Sequence, residues 1–330
     1  MSPAGIRRWL TGPDWTFQPA SAAIRTIAVV GAISSGMLLG QTTRGVLAAV
    51  GALIVGFGAS LELRGSKVLL SLATSAGIAG AAILGSLAAE QTAGAVVVAA
   101  AFGVLCGVAA SRGAAQAWMA FQLGIVAMIS TSFPAALESA VDRAMFVLAG
   151  GLAQTVVLAA ARFVKHGPPL PPPAKTFELR YAIHLAVGLS MAVAVERLLA
   201  LRNGYWVPMT TLLVLRPTQA QTMTRAVART LGTLSGCAIA SLVALLHPPW
   251  SVLVGLLACS AFAAYAFQRA GYGLFAFWVT AYVVFLLTLT GLPEETVALA
   301  RISATAVGAA VALTVQCSSE LFERARRALD

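Results

Sequence analysis

The 330 residues are 59% hydrophobic and only 10% charged, and the mean hydropathy is +0.85. Soluble domains carry about 25% charged residues, so the composition excludes an ordinary soluble globular protein. The net charge of +10 does not indicate a nucleic-acid partner, because the basic residues are scattered between apolar stretches. These stretches are long and do not alternate, which predicts an all-α integral membrane protein.

The first part of the chain is predicted to hold an N-terminal segment and six membrane helices. Residues 1–22 are expected to lie in the cytoplasm or at the lipid headgroups, because Trp9, Trp15 and Phe17 suit an interface. Residues 23–163 form the first half. Its predicted spans are about 24–42, 46–60, 68–89, 93–111, 115–133 and 140–163.

The second part repeats this organisation after a linker. Residues 164–177 form a proline-rich cytoplasmic linker, which is expected to be stiff and extended. Residues 178–317 form the second half, and residues 318–330 a cytoplasmic tail. Its predicted spans are about 178–200, 205–216, 228–246, 250–267, 272–290 and 296–317, which brings the total to about 12.

Basic residues predict the orientation of these spans. With a cytoplasmic N-terminus, 17 of the 22 lysines and arginines lie inside, whereas the 12 acidic residues divide evenly between the two sides. This bias is the positive-inside rule, so both termini are predicted to be cytoplasmic.

The two halves resemble each other weakly. Gly77 and Ala81 match Gly232 and Gly236 at an offset of 155 residues, and Arg143 matches Arg301 at an offset of 158. We predict two parallel six-helix repeats, since each half has an even number of spans. Small residues four apart let membrane helices approach closely, so these four are interpreted as helix-packing positions.

The short segments at 46–60 and 205–216 occupy the same place in each half. The apolar run from Trp206 to Leu215 has about ten residues, roughly half of what a straight span needs. Pro208 is expected to interrupt this run near its start, and Pro217 to stop it. Short, proline-broken segments beside cations are typical of transport sites.

Three arginines follow this break, at positions 216, 225 and 229. Arg225 and Arg229 share a predicted helix face with Gly232 and Gly236. We interpret Arg216, Arg225 and Arg229 as a cationic vestibule for organic anions, because guanidinium binds carboxylate through paired hydrogen bonds. The alternative is that these arginines reach lipid phosphates at the cytoplasmic face.

Residues 204–236 also carry a recognisable pattern. It consists of Gly204, Tyr205, Trp206, Thr210, Pro217, Thr224, Arg225, Arg229, Gly232, Thr233 and Gly236. This pattern, over residues 177–242, resembles the fusaric acid resistance protein-like family. That family includes bacterial aromatic carboxylic acid exporters and is distantly similar to the plant aluminium-activated malate transporters.

The resemblance implies a substrate path along the short segment. Trp206 would stack on an aromatic ring or shape the pore, and Thr210 and Thr211 would bond a carboxylate. The alternatives are an interfacial anchor for Trp206 and bonding to the preceding helical turn for the threonines. The chain departs from larger family members in having only a linker where they carry a cytosolic domain. The Trp-Thr-Pro pattern is also missing from residues 46–67.

Three further charged or titratable residues fall inside or beside predicted spans. His184 lies within the span that starts at 178, where it would relay protons or bond a neighbouring helix as a neutral ring. Arg143 and Arg301 lie near the predicted outer ends of their spans. They are interpreted as an outer gate or as ion pairs at the membrane face, with Asp142 as a candidate partner for Arg143.

We therefore predict an inner-membrane exporter of small organic anions, most readily aromatic carboxylic acids. The expected drive is the proton motive force, because no phosphate-binding glycine loop is visible. No catalytic arrangement, cofactor or metal site is predicted. The predicted partners are the substrate anion and the lipid bilayer. The sequence leaves open whether the chain forms a homo-oligomer, and the family resemblance implies a periplasmic adaptor as a further partner. An organic-anion channel and a non-transporting structural or assembly protein stay open as alternatives.

Overall fold

The computed structural model describes residues 17–61, 66–161, 179–201, 203–244, 246, 248–291 and 294–329. All regular structure in these ranges is helical, which confirms the predicted all-α class. The predicted linker at 164–177 and the first sixteen residues of the predicted N-terminal segment lie outside the described ranges.

Twelve α-helices occupy these ranges, one at each predicted span. The first six are α1 (Pro19–Leu38), α2 (Thr42–Phe57), α3 (Lys67–Ala88), α4 (Thr92–Arg112), α5 (Ala114–Ser130) and α6 (Leu137–Ala160). The next six are α7 (Leu179–Leu199), α8 (Trp206–Val214), α9 (Gln219–Ala244), α10 (Trp250–Ala266), α11 (Tyr272–Thr288) and α12 (Glu294–Leu329). A short 3-10 turn, Gly58–Ser60, extends α2.

Eight of the described helices are long and apolar enough to cross a membrane, and they are α1, α2 with its 3-10 turn, α3, α4, α6, α7, α9 and α12. Helices α5, α10 and α11 are apolar but have 17 residues each. The membrane-helix class is thus confirmed, whereas twelve helices of full spanning length are not found among the described residues. The prediction that α2 is short is wrong, because it starts at Thr42 and reaches Ser60 through its 3-10 turn.

Two helix boundaries differ from the sequence prediction, and each has a local cause. Helix α9 begins at Gln219 rather than near residue 228, because the Thr218 hydroxyl accepts a hydrogen bond from the Gln221 N–H (3.4 Å) and caps the first turn. Helix α12 continues to Leu329, through most of the predicted tail. No glycine or proline follows Gly308 to end it.

Five packed helix pairs of the first half have a counterpart in the second. In the first half, α6 packs against α1, α2 and α3, and α5 packs against α3 and α4. In the second half, α12 packs against α7, α8 and α9, and α11 packs against α9 and α10. Between the halves, α4 packs against α7 and α10 packs against α1.

The predicted small-residue positions lie at close helix contacts. A Cβ at Gly232 would lie 2.5 Å from the Gly273 carbonyl oxygen of α11, and one at Gly236 would lie 2.7 Å from the Phe277 oxygen. On α3, Gly77 faces the Leu123 side chain of α5, and Ala81 is buried. The glycine face of α9 is therefore held against α11.

Candidate functional site

Helix α8 is a short helix enclosed by its neighbours. Its nine residues are all buried, and at 1.5 Å per residue they span only about 14 Å of a hydrocarbon core about 30 Å thick. The chain leaves the helix at Leu215 in an extended conformation and resumes as α9 at Gln219. Tyr205, in the turn before α8, is also buried.

Only one of the two prolines fails to act in the way the sequence predicts. Pro208 is the third residue of α8, where a missing N–H costs nothing because the first helical turn has no carbonyl partner for it. The expected interruption at Pro208 is therefore wrong. Pro217 lies beyond the end of α8, in the bend between Leu215 and Gln219.

Arg301 of α12 is fully buried beside the start of α8. Its guanidinium carbon lies 3.8 Å from the centroid of the Trp206 ring, and its Nη2 donates a hydrogen bond to Thr280 Oγ1 (3.1 Å). No described carboxylate pairs with it. The described residues therefore do not form the predicted ion pair at the membrane face around Arg301. The positive charge instead rests on an aromatic face inside the protein.

Arg229 of α9 is buried within electrostatic range of Arg301. Each guanidinium lies within the electrostatic reach of the other, and both interact with the thiol of Cys237. Thr233 lies between Arg229 and Cys237 on the same face of α9, one helical turn from each. Helices α8, α9, α11 and α12 therefore converge on two like charges.

Several donors at this convergence have no hydrogen bond of good geometry among the described residues, although the Cys237 thiol lies near the Arg301 guanidinium and the Tyr205 hydroxyl near the Trp206 indole. These donors are Nε and Nη2 of Arg229, Nε and Nη1 of Arg301, Nε1 of Trp206, and the hydroxyls of Thr210 and Thr233. Buried polar groups are nearly always paired, so a cluster of unpaired donors needs an explanation. All seven atoms can donate a hydrogen bond, which is what an anion requires.

The other two predicted arginines form a second pair toward the start of α9. The Arg225 guanidinium carbon lies 4.1 Å from the Tyr272 ring centroid, and that of Arg216 lies 5.5 Å from the Phe121 centroid. Arg216 and Arg225 are half-buried and interact electrostatically with each other and with Tyr181. The first pair and the second are one helical turn apart along α9, at Arg225 and Arg229.

The two predicted threonines of α8 have different environments. Thr211 Oγ1 lies 3.1 Å from the Val207 oxygen and 3.0 Å from the Gly308 oxygen, so its hydroxyl bonds protein backbone. Thr210 packs beside Gly308 and its hydroxyl has no described partner. Of the two, Thr210 has the hydroxyl that is free to bind a ligand.

The remaining predicted residues, His184 and Arg143, have other surroundings. His184 is buried in α7. Arg143 Nη1 donates to the Phe133 oxygen (3.0 Å), while Asp142 lies 3.7 Å from Arg44. Asp142 therefore pairs with Arg44 and not with its neighbour in sequence.

A further buried arginine, Arg25 of α1, was not singled out by the sequence. Its guanidinium donates to Gln268 Oε1 (3.0 Å) and to the Tyr265 oxygen (3.2 Å), and its Nε donates to the Ser21 oxygen (3.1 Å). Arg25 thus bridges α1 to α10 and the turn after it, with its donors satisfied, unlike Arg229 and Arg301. Its position at the start of an apolar span was the only available signal.

The long apolar helices define a polytopic α-helical membrane protein. The short buried α8 and the unpaired guanidinium groups lie within it. Its second half matches the sequence model described as fusaric acid resistance protein-like, over residues 189–315. This match confirms the family resemblance seen at residues 204–236.

Individual relatives match over a similar length. An uncharacterized protein of Haemophilus influenzae is 27% identical over 139 residues, which are 41% of this chain and 19% of that protein. Inner membrane protein YccS of Escherichia coli is 30% identical over 133 residues, 40% of this chain and 18% of YccS. The uncharacterized protein YhfK of Escherichia coli is 33% identical over 138 residues, 42% and 20% of the two chains. The matched part of this chain thus spans about a fifth of each relative, and no solved structure matches it.

Proposed function

We propose that this protein carries small organic anions, most readily aromatic carboxylates, out of the cytoplasm through its second half. The observation behind the proposal is the buried pair Arg229 and Arg301, each of which has two guanidinium nitrogens without a partner among the described residues. The path would enter at Arg216 and Arg225 and continue along α9 to this pair.

A buried pair of like charges needs compensation for its desolvation and its repulsion. Moving a charge from water into a protein interior costs on the order of several kcal/mol, and two like charges side by side add repulsion. Stacking on Trp206 and the bond to Thr280 offset part of this cost for Arg301. An incoming anion would remove the repulsion and satisfy the donors. A carboxylate suits both, because it is charged and accepts at two oxygens.

The names of the family and of one relative support transport of an acid across the inner membrane. The family description refers to resistance to an acid, and YccS is named as an inner membrane protein. We extend the inner membrane to this chain, with both termini in the cytoplasm according to the positive-inside rule. In this orientation the half-buried pair faces the cytoplasm and Arg301 lies deeper.

The matching helix pairs support two parallel six-helix repeats. Gly150 of α6 and Gly308 of α12 occupy matching positions, and each lies against a carbonyl of the second helix of its half, Ala48 and Val207. The counterpart of Arg229 at the 155-residue offset is Thr74, so the first half lacks the buried arginine pair. The first half would then act as a scaffold for the second.

The proposed drive is the proton motive force, with His184 as the proton relay. A negative-inside potential favours exit of an anion. Arg143 and Arg301 are both predicted for an outer gate; the burial of Arg301 against Trp206 favours a role in the path for Arg301 and leaves the gate to Arg143.

Proteoliposomes holding the purified chain test this function. We expect saturable efflux of labelled benzoate, driven by a pH gradient, and no protein-dependent efflux of the neutral isostere benzamide. Current that neither saturates nor responds to pH would favour an organic-anion channel. Equal fluxes in protein-containing and empty liposomes would contradict transport and favour a structural or assembly role.

A further inference from the structure

The edge of the Arg229 guanidinium has a specific geometry. Nε and Nη2 lie on the same edge, and their N–H bonds run parallel, which is the arrangement that binds both oxygens of a carboxylate. These are the two Arg229 nitrogens that are buried and unpaired. A spherical anion or a single acceptor cannot satisfy both N–H bonds with equally good geometry.

Arg301 is held in a different way. Trp206 covers one face of its guanidinium, and Nη2 is engaged by Thr280, so its orientation is fixed by packing. Because the aromatic face of Trp206 is occupied by this cation, that face is not free to stack on a substrate ring. Arg301 therefore supplies a fixed second positive charge within electrostatic range of Arg229.

We propose that Nε and Nη2 of Arg229 bind the carboxylate group of a monocarboxylate, with Arg301 as the second charge and Thr233 as an additional donor. This inference rests on the proposed transport of organic anions and adds which group of the substrate is recognised. The site is selective for a planar carboxylate over a halide and over a neutral amide. Trp206 positions Arg301 and does not bind the substrate ring.

An empty site of this kind has an unusual stability signature. Two buried charges repel each other, so replacing Arg229 by a neutral residue relieves repulsion and desolvation when no anion is bound. Arg25 offers the matched control, because it is equally buried but has its hydrogen bonds satisfied. Its replacement by lysine removes bonds and keeps the charge, so it relieves no repulsion.

Thermal unfolding of the detergent-purified full chain tests the site without any transport. Sodium benzoate is titrated against benzamide and against sodium chloride at equal concentration. We expect benzoate to raise the melting temperature in a saturable way, and benzamide and chloride to leave it nearly unchanged, since a ligand of the native state stabilises it. Arg229→Lys, which keeps the charge but loses the paired N–H bonds, should weaken benzoate binding by about tenfold or more.

The variants separate a ligand site from a structural role. Arg229→Gln should abolish the benzoate shift and leave the melting temperature of the unliganded protein equal or higher. Arg25→Lys should lower the unliganded melting temperature and keep the benzoate affinity. An equal shift with chloride, or unchanged benzoate affinity in Arg229→Lys, overturns the carboxylate site.

The two proposals fail in different ways. Benzoate binding that depends on Arg229, with no flux in liposomes, would sink the transport proposal and leave the site standing. Flux that persists while Arg229→Lys binds benzoate as well as the parent would sink the site alone. If Arg229→Lys cannot be purified, two measurements still test the carboxylate site. They are benzoate binding by Arg301→Lys and the comparison of benzoate, benzamide and chloride on the parent chain.

Discussion

The guanidinium of Arg301 lies on the face of Trp206, 3.8 Å from the ring centroid, although 94 residues separate the two along the chain. This contact joins α12 to the short helix α8 and keeps a positive charge inside the protein without a described carboxylate. Nearby, Arg229 adds a second charge and both arginines keep unpaired donors.

The Trp206 contact predicts how that residue responds to substitution. Trp206→Phe keeps an aromatic face under Arg301 and should retain most of the benzoate flux. Trp206→Leu removes a cation–π contact of about 2 kcal/mol in a desolvated setting, so flux should fall by about 30-fold. Flux per molecule of folded protein is the measurement, and equal losses in both variants would contradict the role of the aromatic face.

The half-buried pair Arg216 and Arg225 predicts an effect on substrate capture. Neutralising both, as Arg216→Gln with Arg225→Gln, should raise the KM for benzoate several-fold and leave the maximal rate nearly unchanged. The reason is that charges at an entrance raise the local anion concentration, an effect that salt screens. The salt dependence of KM should therefore also decrease.

The control for this pair is Arg44→Gln. Arg44 is exposed, stacks on Phe146 and lies near Asp142, away from the proposed path. It should change neither KM nor its salt dependence. A similar rise in KM for Arg44→Gln would mean that net charge, and not the position of the pair, sets capture.

The contact between α9 and α11 predicts a steric effect. Gly232→Ala would place a methyl group 2.5 Å from the Gly273 backbone oxygen, so the helices must separate, at a cost of about 1–3 kcal/mol. Gly255→Ala in α10 has nothing within 4 Å of its new methyl group and should be neutral or slightly stabilising. Melting temperatures of the two variants give the comparison. If they match, close packing at Gly232 does not contribute to stability.

The proposed proton relay predicts a separation between two kinds of transport. His184→Gln should abolish accumulation of benzoate against its gradient, because a glutamine cannot carry a proton. Downhill flux should be retained. Glu196→Gln is the comparison, since Glu196 is the buried acidic side chain described on α7 and its carboxylate accepts from the Ser132 hydroxyl. Accumulation that survives in His184→Gln would place the relay elsewhere.

The sequence predicts a large part of this architecture because lipid imposes a simple rule on apolar helices. It also predicts the face of α9 correctly, since Arg225, Gly232 and Gly236 all contact α11. Helical periodicity is a local property, so one segment is sufficient to reveal it.

The deep site could be predicted only in part. The sequence indicates Arg229 through its position on α9. Its proximity to Arg301 depends on how α9, α11 and α12 pack, and no local pattern encodes that packing. Pro208 was misread because its effect depends on where the helix starts. The sequence does not indicate the contacts of Arg25, because its partners lie about 240 residues away and no local pattern encodes them.

The most direct test of the central claim is benzoate efflux from proteoliposomes with Arg229→Gln and Arg301→Gln, beside Arg25→Lys as the control for a buried arginine. We predict that both Gln variants reach the bilayer in normal amounts but transport at the rate of empty liposomes. Arg25→Lys should retain flux in proportion to its folded fraction. Efflux at more than about half the parental rate in both Gln variants would contradict a path that runs through this buried pair of arginines.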